Sequence, residues 1–389
     1  MFANLMFAAA LLVAAPPVAV GAANATAKPD MPAPALLATP FFQVLTVADG
    51  LPSSHVYKII EDRRGFVWIG TRDGLARYDG AAFRVWRHDA GDPGSIASND
   101  VPTVYADRDG RIWCGGDDGL SMLDPSAGDR FIHYRHDAND VASLSSNDVW
   151  AVTSDADGTI WIGGYGGGVD RLDPASGKIA HLHKEAGSTL GLTSDNVLAL
   201  YFDRTRRLWI GTDVGIDVRE ANGAIQHIDL SGVAGDGRFN VTSLVDDGDG
   251  SLLAGTRHGL LRIGKDGNAT VVAERGLNDA YAYSVVRDAA GELWVGTRNG
   301  LDRIDADGRL HSYMENSAVP GSLPGNMVLD AMQDHEGGLW FTTTEGGIAR
   351  LPANWRNFSL YRNDPTNADS LSANRVQGLA EDAAGAVGQ

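Results

Sequence analysis

A single cysteine in 389 residues excludes an internal disulfide and any cysteine-based metal site. Basic side chains are also scarce, with 32 Lys and Arg against 50 Asp and Glu and a formal charge of −18. That deficit argues against nucleic acid or an anionic membrane surface as the main partner, since both recruit proteins through positive charge. After residue 25 there is no apolar run of the length that a membrane-spanning helix needs. Catalytic signatures are missing as well: the chain has no Gly-x-Ser-x-Gly elbow, no His-Glu-x-x-His and no phosphate-binding loop.

What the chain has is glycine, 48 residues of it, and a phrase that recurs seven times. The phrase first reads Gly65-Phe66-Val67-Trp68-Ile69-Gly70-Thr71, and its anchor returns at Trp113, Trp161, Trp209, Leu253, Trp294 and Trp340. Successive anchors lie 41 to 48 residues apart, the period at which one small antiparallel sheet follows another around a propeller. Six residues before each anchor stands an Asp, from Asp62 to Asp334, usually followed three residues later by Gly. This is the spacing of a tight hairpin in which Asp bonds the backbone ahead and Gly supplies positive φ. Twelve residues before the anchor lies Val, with Ala282 the exception, and six after it lies Gly, from Gly74 to Gly346.

Each repeat therefore resolves into four short strands, in the first at residues 56–61, 66–71, 75–78 and 83–87. Such a sheet cannot bury both faces alone, and radial stacking lets the Trp and its aliphatic neighbours fill the gaps between sheets. The Trp column is accordingly read as core. Cys114 occupies a strand position held elsewhere by Ile69, Ile162 and Ile210 and reads as a small buried hydrophobe. The expected fold is all-β, a seven-bladed propeller of four-stranded blades over residues 41–352. Residues 41–45 match the outer strand that precedes every later repeat, and are expected to complete the last sheet beside residues 348–351. Residues 353–389 repeat the outer-strand and inner-strand patterns once more and read as the start of a truncated second propeller. An eight-sheet ring lacking most of its last blade is the competing account.

Residues 1–25 read as a signal peptide, apolar over 5–20 with a small-x-small site at Ala23-Asn24-Ala25, although no Lys or Arg precedes Lys28. Residues 26–40 form a Pro/Ala-rich linker.

The phrase Asp-x-x-Gly-x-Leu-Trp-Val-Gly-Thr-x-x-Gly-Leu over residues 288–301 resembles the two-component regulator propeller repeat, and the resemblance extends over nearly all of residues 41–389. It implies the sensory region of a protein with propellers outside the inner membrane, followed by a small β-sandwich, one span and a cytoplasmic output. That output would be a histidine kinase, a hybrid kinase or a diguanylate cyclase, and the intact parent could be a homodimer. No kinase or cyclase motif is found in the chain, so no enzyme activity is expected of it. The expected role is extracytoplasmic, periplasmic sensing of an unidentified small ligand such as an oligosaccharide or peptide, without a cofactor. A docking propeller, or a propeller lyase or glycosidase, is the alternative.

Function must come from the open face, where second-to-third loops and sheet-to-sheet connections gather around the channel. The loop tips vary inside a fixed frame, and the candidate ligand-binding residues are Arg72, Asp73, Asp118, Tyr165, Asp213, Arg257, His258, Arg298, Asn299 and Glu345. Arg and His can hold carboxylates or hydroxyls, and Tyr165 offers a stacking face. Asp118, Asp213 and Glu345 are also the candidate acids for catalysis, but they hold equivalent repeat positions beside no distinctive His or nucleophile. Asn and Asp residues just before the inner strands, such as Asn99-Asp100 and Asn147-Asp148, are read as holding turn backbone. The Asp turns supply too few carboxylates for a calcium loop, and no metal is expected.

Overall fold

The computed structural model describes residues 40–357 apart from 186–189, 234–236 and 274–275, together with 380–381 and 387–388. Seven four-stranded antiparallel sheets succeed one another along the chain. Blade 1 runs from its inner strand Val56–Glu61 through Val67–Thr71 and Gly74–Tyr78 to the outer strand Phe83–Trp86. Blades 2 to 6 repeat that order, with inner strands Thr103–Ala106, Val149–Ser154, Val197–Phe202, Ser243–Asp246 and Ala282–Arg287. In blade 7, Val328–Gln333, Leu339–Thr343 and Ile348–Leu351 are joined by Gln43–Leu45 as the fourth strand. Gln43 pairs with Arg350 and Leu45 with Ile348, so the ring closes with seven blades as the repeat count requires. Phe42 secures the seam, edge to face with Tyr313 and Phe341 at 6.1 and 6.0 Å.

The second strand of every blade is buried along its whole length, because it lies mid-sheet with a neighbouring blade against each face. In blades 1 to 6 its glycine is a steric requirement. A Cβ at Gly115, Gly163 or Gly211 would stand 2.4, 2.5 or 2.8 Å from Cγ1 of Val149, Val197 or Val241, the Val that opens the next blade's inner strand. The two columns thus lock consecutive blades together. Cys114 is buried among these contacts, and burial pushes its thiol well above the usual range.

The hairpin glycines take the positive φ the turn demands, 82° at Gly65 and 84° at Gly110. In blade 4, where Gly is absent, Arg206 adopts φ 66° instead. Past the ring, Trp355 packs edge to face on Trp294 at 5.7 Å, and Arg356 bonds Asp288 and Glu292 at 2.6 and 2.5 Å. The regions expected to be a signal peptide and a linker, residues 1–40, lie outside the described residues except for residue 40. So does most of the region expected to open a second propeller, where Ala380–Glu381 and Val387–Gly388 pair as a short antiparallel ladder. No helix among the described residues is long and apolar enough to cross a membrane.

Candidate functional site

The inner strands carry a register fault at their first turn. In blades 1, 3, 4, 6 and 7 one residue is bulged out of the ladder between Val56 and Lys58, Val149 and Ala151, Val197 and Ala199, Ala282 and Ser284, and Val328 and Asp330. A bulge re-aims a side chain that the pleat would otherwise direct into the core. The bulged residues are Tyr57, Trp150, Leu198, Tyr283 and Leu329, with Pro102 and Thr242 at the same place in blades 2 and 5. All seven line one cavity of about 450 Å³ bounded by the inner strands of every blade. Deeper in, Lys58 Nζ meets Asp330 Oδ1 at 3.0 Å across the closing seam.

These residues were not among those picked out from the sequence. Their signal was present, since the position after the Val column changes from Tyr to Pro, Trp, Leu, Thr, Tyr and Leu while the column stays fixed. Pattern alone assigns an apolar residue in a strand to the core, whereas Trp150 is 40% exposed.

The variable loop pairs divide in two. The first member of six pairs lies beside the start of its own blade's inner strand, because its N–H bonds the carbonyl there: Arg72 to His55, Tyr165 to Asp148, Asp213 to Asn196, Arg257 to Phe239, Arg298 to Tyr281 and Thr344 to Met327, at 2.8 to 3.2 Å. The second member is tied to structure elsewhere. Asp73 pairs with Arg87 at 3.0 Å and Asp118 with Arg135 at 3.0 Å, both partners following the outer strand. His258 Nε2 lies 2.8 Å from the Arg238 carbonyl, and the Asn299 carbonyl accepts from Asn278. Glu345 reaches close enough to act on His55. The ten residues therefore do not form one cluster.

The Asn/Asp pairs before the inner strands divide the same way. Asn99 Oδ1 accepts from His88 N and Asn147 Oδ1 from His136 N, each at 2.7 Å, which is the structural role expected. The following residue instead faces the mouth. Asp148 Oδ1 accepts the Trp150 indole at 2.6 Å. Asp100 stands by Tyr57, whose phenol is pushed up to about 12 by burial and by that carboxylate. Asn240 holds φ 43°, an uncommon conformation for a residue other than Gly, and donates to the Tyr281 hydroxyl at 3.2 Å.

Aromatic rings dominate the mouth. Trp150 and Tyr165 meet edge to face at 5.7 Å, and Tyr281 stacks on Tyr283 at 4.3 Å. Tyr165 is 41% exposed; burial and the nearby Tyr281, Asp148 and Asp213 push its phenol up. Acidic groups, Asp100, Asp117, Asp148 and Asp213, occupy blades 2 to 4, and arginines 72, 257 and 298 occupy blades 1, 5 and 6. Arg298 is tied to Asp279 at 3.2 Å.

One further cluster resembles a catalytic triad and is not one. Ser145 Oγ lies 2.6 Å from Asp170 Oδ1 and 2.9 Å from His181 Nδ1, while the same Nδ1 bonds Asp170 at 2.6 Å. A triad needs both imidazole nitrogens, one for the hydroxyl and one for the carboxylate. Thr193, Asp217 and His227 repeat the arrangement one blade on, so it pins connecting loops to the sheet.

The chain is a propeller of tandem sequence repeats. The repeats are two-component regulator propeller repeats: that family's model matches residues 50–73, 95–118, 143–166, 191–214, 276–299 and 322–345. Each match runs from the connection before an inner strand to the variable pair, and blade 5, with Leu253 for Trp, is the one left unmatched. Histidine kinase P4 of Formosa agariphila is 43% identical over 56 residues, 14% of this chain and 4% of that protein. The extracellular domain of a protein described as a hybrid two-component system of B. thetaiotaomicron superposes with a TM-score of 0.76 at 24% identity, over 90% of this chain and 46% of that one. The chain thus spans about half of that structure. A streptogramin B lyase shares the fold with a TM-score of 0.61 at 16% identity, covering 80% of this chain and 97% of the lyase. At these identities the likeness is one of fold.

Proposed function

We propose that this chain is an extracytoplasmic ligand-sensing propeller of a membrane-bound signalling protein, and that the ligand engages the mouth of the central channel. The observation that carries the reading is the ring of bulged residues around the 450 Å³ cavity. Five blades spend a backbone bulge on this position, and across all seven its side chain varies while the columns that hold the ring change little. Conserving the frame and varying the lining is what recognition requires, and two exposed aromatic faces at the rim suit an oligosaccharide or peptide. The family and its two-component relatives supply the signalling context. The export signal read in residues 1–25 belongs to the same proposal, with cleavage after Ala25 as the expected processing.

Thermal-shift screening of glycans and peptides tests it, since a ligand that binds only the folded form raises apparent stability. A hit is expected to raise Tm in the native protein and to lose that effect in Trp150→Ala, whose side chain is too exposed to hold the core. A hit whose shift survives both Trp150→Ala and Tyr165→Ala would place the site elsewhere.

A further inference from the structure

We propose that the mouth recognises an organic cation, a primary or quaternary ammonium group, on the arc formed by blades 3 and 4; this rests on the ligand-binding reading above and narrows it to one chemistry. The arc brings π faces together around an open volume, with two carboxylates close enough to act on the Tyr165 phenol. Trp150 and Tyr165 stand edge to face at 5.7 Å and form two walls of a box. Tyr281, backed by Tyr283, approaches from blade 6 closely enough to weigh on the Tyr165 phenol. A cation over such rings is drawn by their quadrupoles.

Two carboxylates supply the charge. Asp148 fixes the indole through its 2.6 Å bond to Nε1. Asp213 is held through Oδ2 by Asn196 Nδ2 at 3.0 Å, and its Oδ1 is buried without a hydrogen-bond partner. That oxygen has no accessible surface, so a cation in the mouth would be drawn by the carboxylate's charge through space rather than by a bond to it. Asn196 also accepts the Gly166 N–H at 3.0 Å through Oδ1, so one side chain sets the spacing between the Tyr165 loop and Asp213. The arc is built before any ligand arrives.

Calorimetric titration of the whole chain with choline, and with its uncharged carbon isostere dimethylbutanol, separates charge recognition from apolar contact. Choline is expected to bind, with the isostere at least about tenfold weaker. Trp150→Leu and Asp213→Asn are each expected to weaken choline about tenfold, and Trp150→Phe, which keeps a ring, less than Trp150→Leu. Unchanged unfolding temperatures in the variants would exclude loss of fold. Equal affinity for choline and its isostere overturns the proposal, as does a choline affinity indifferent to both Trp150→Leu and Asp213→Asn. Should choline, a lysine-containing peptide and spermidine all fail to bind while a neutral glycan binds and is lost in Trp150→Leu, the cation is wrong and the mouth as a ligand site stands. If mouth substitutions alter the binding of no ligand, both fall.

Discussion

The indole Nε1 of Trp68 donates to Asp62 Oδ2 at 2.8 Å, and the same bond recurs in every blade that has the Trp, at 2.9 Å from Trp113 to Asp107 and 2.7 Å from Trp340 to Asp334. The Asp column thus does two things at once. Its Oδ1 turns the hairpin, accepting Arg64 N and Phe66 N at 2.8 and 3.1 Å, and its Oδ2 satisfies an indole that could not otherwise be buried. Blade 5 shows the dependence by exception. Leu253 brings no donor, and Asp247 is instead met by Arg262 at 2.8 Å, by Ser251 Oγ at 3.2 Å and by Arg287 of the next blade. Asp62→Ala strands three donors around a buried site and should cost about 3 kcal/mol. Asp62→Asn retains one acceptor oxygen and should cost clearly less. Urea denaturation of the two variants checks the order, and equal costs would show that the one acceptor oxygen of Asn restores neither the turn nor the indole bond.

Between elements, the contact that sets blade spacing is glycine against valine. Gly163 on the second strand of blade 3 faces Val197 of blade 4, and an added Cβ would lie 2.5 Å from Cγ1 and 3.0 Å from Cβ. Gly163→Ala should destabilise by roughly 1–3 kcal/mol, the usual effect of overpacking a close-packed core. Val197→Ala should cost about as much through its cavity. The pair together should cost less than the sum, because each change relieves the other; additive costs would mean that the blades do not touch there. The same columns explain which features could be read from the sequence. Repetition seven times over made the strands, hairpins, blade count and closing strand legible, because each is a packing requirement that recurs. The mouth was legible only in part. Arg72, Tyr165, Asp213, Arg257 and Arg298 lie there because the loop's first residue is tethered to the inner strand. Asp73 and Asp118 look equivalent in sequence yet are drawn outward by Arg87 and Arg135. Trp150 and Tyr57 went unread because a bulge, which no composition announces, reverses the face that period-two alternation assigns.

For the whole molecule the governing quantity is acidity, since a chain with net charge −18 repels itself and yet uses its carboxylates as structural parts. At Asp203 burial acts to raise the pKa, but bonds from Trp209, Thr205 and Arg207 outweigh it and hold the group near about 2. At Asp288 burial is likewise outweighed, here by Arg356 and Trp294, and the pKa is lowered. On exposed turns the Ser251 hydroxyl and N–H bring Asp249 to about 2, and Asp79, Asp124 and Asp173 are lowered by similar bonds. Asp302 opposes the trend, raised by burial. Folded values below the ~3.9 of an unfolded Asp mean a contribution fully present above about pH 4 and lost as pH falls through about 2. Histidines act on the other side. His335 is raised by Glu61, and at His181 the Asp170 bond overcomes burial, so their contribution is present below about pH 6.5 and fades above it. His55 and His133 are lowered, chiefly by burial, and offset part of that loss. Unfolding temperature followed by circular dichroism should therefore be nearly level from about pH 5 to 8 and fall steeply between about pH 4 and 2. Asp203→Ala should lower the plateau and flatten the acid limb, since the carboxylate whose protonation drives part of the fall is gone. An acid limb as steep in Asp203→Ala as in the parent would show that self-repulsion of the positively charged ring at low pH, rather than the hairpin carboxylates, unfolds it.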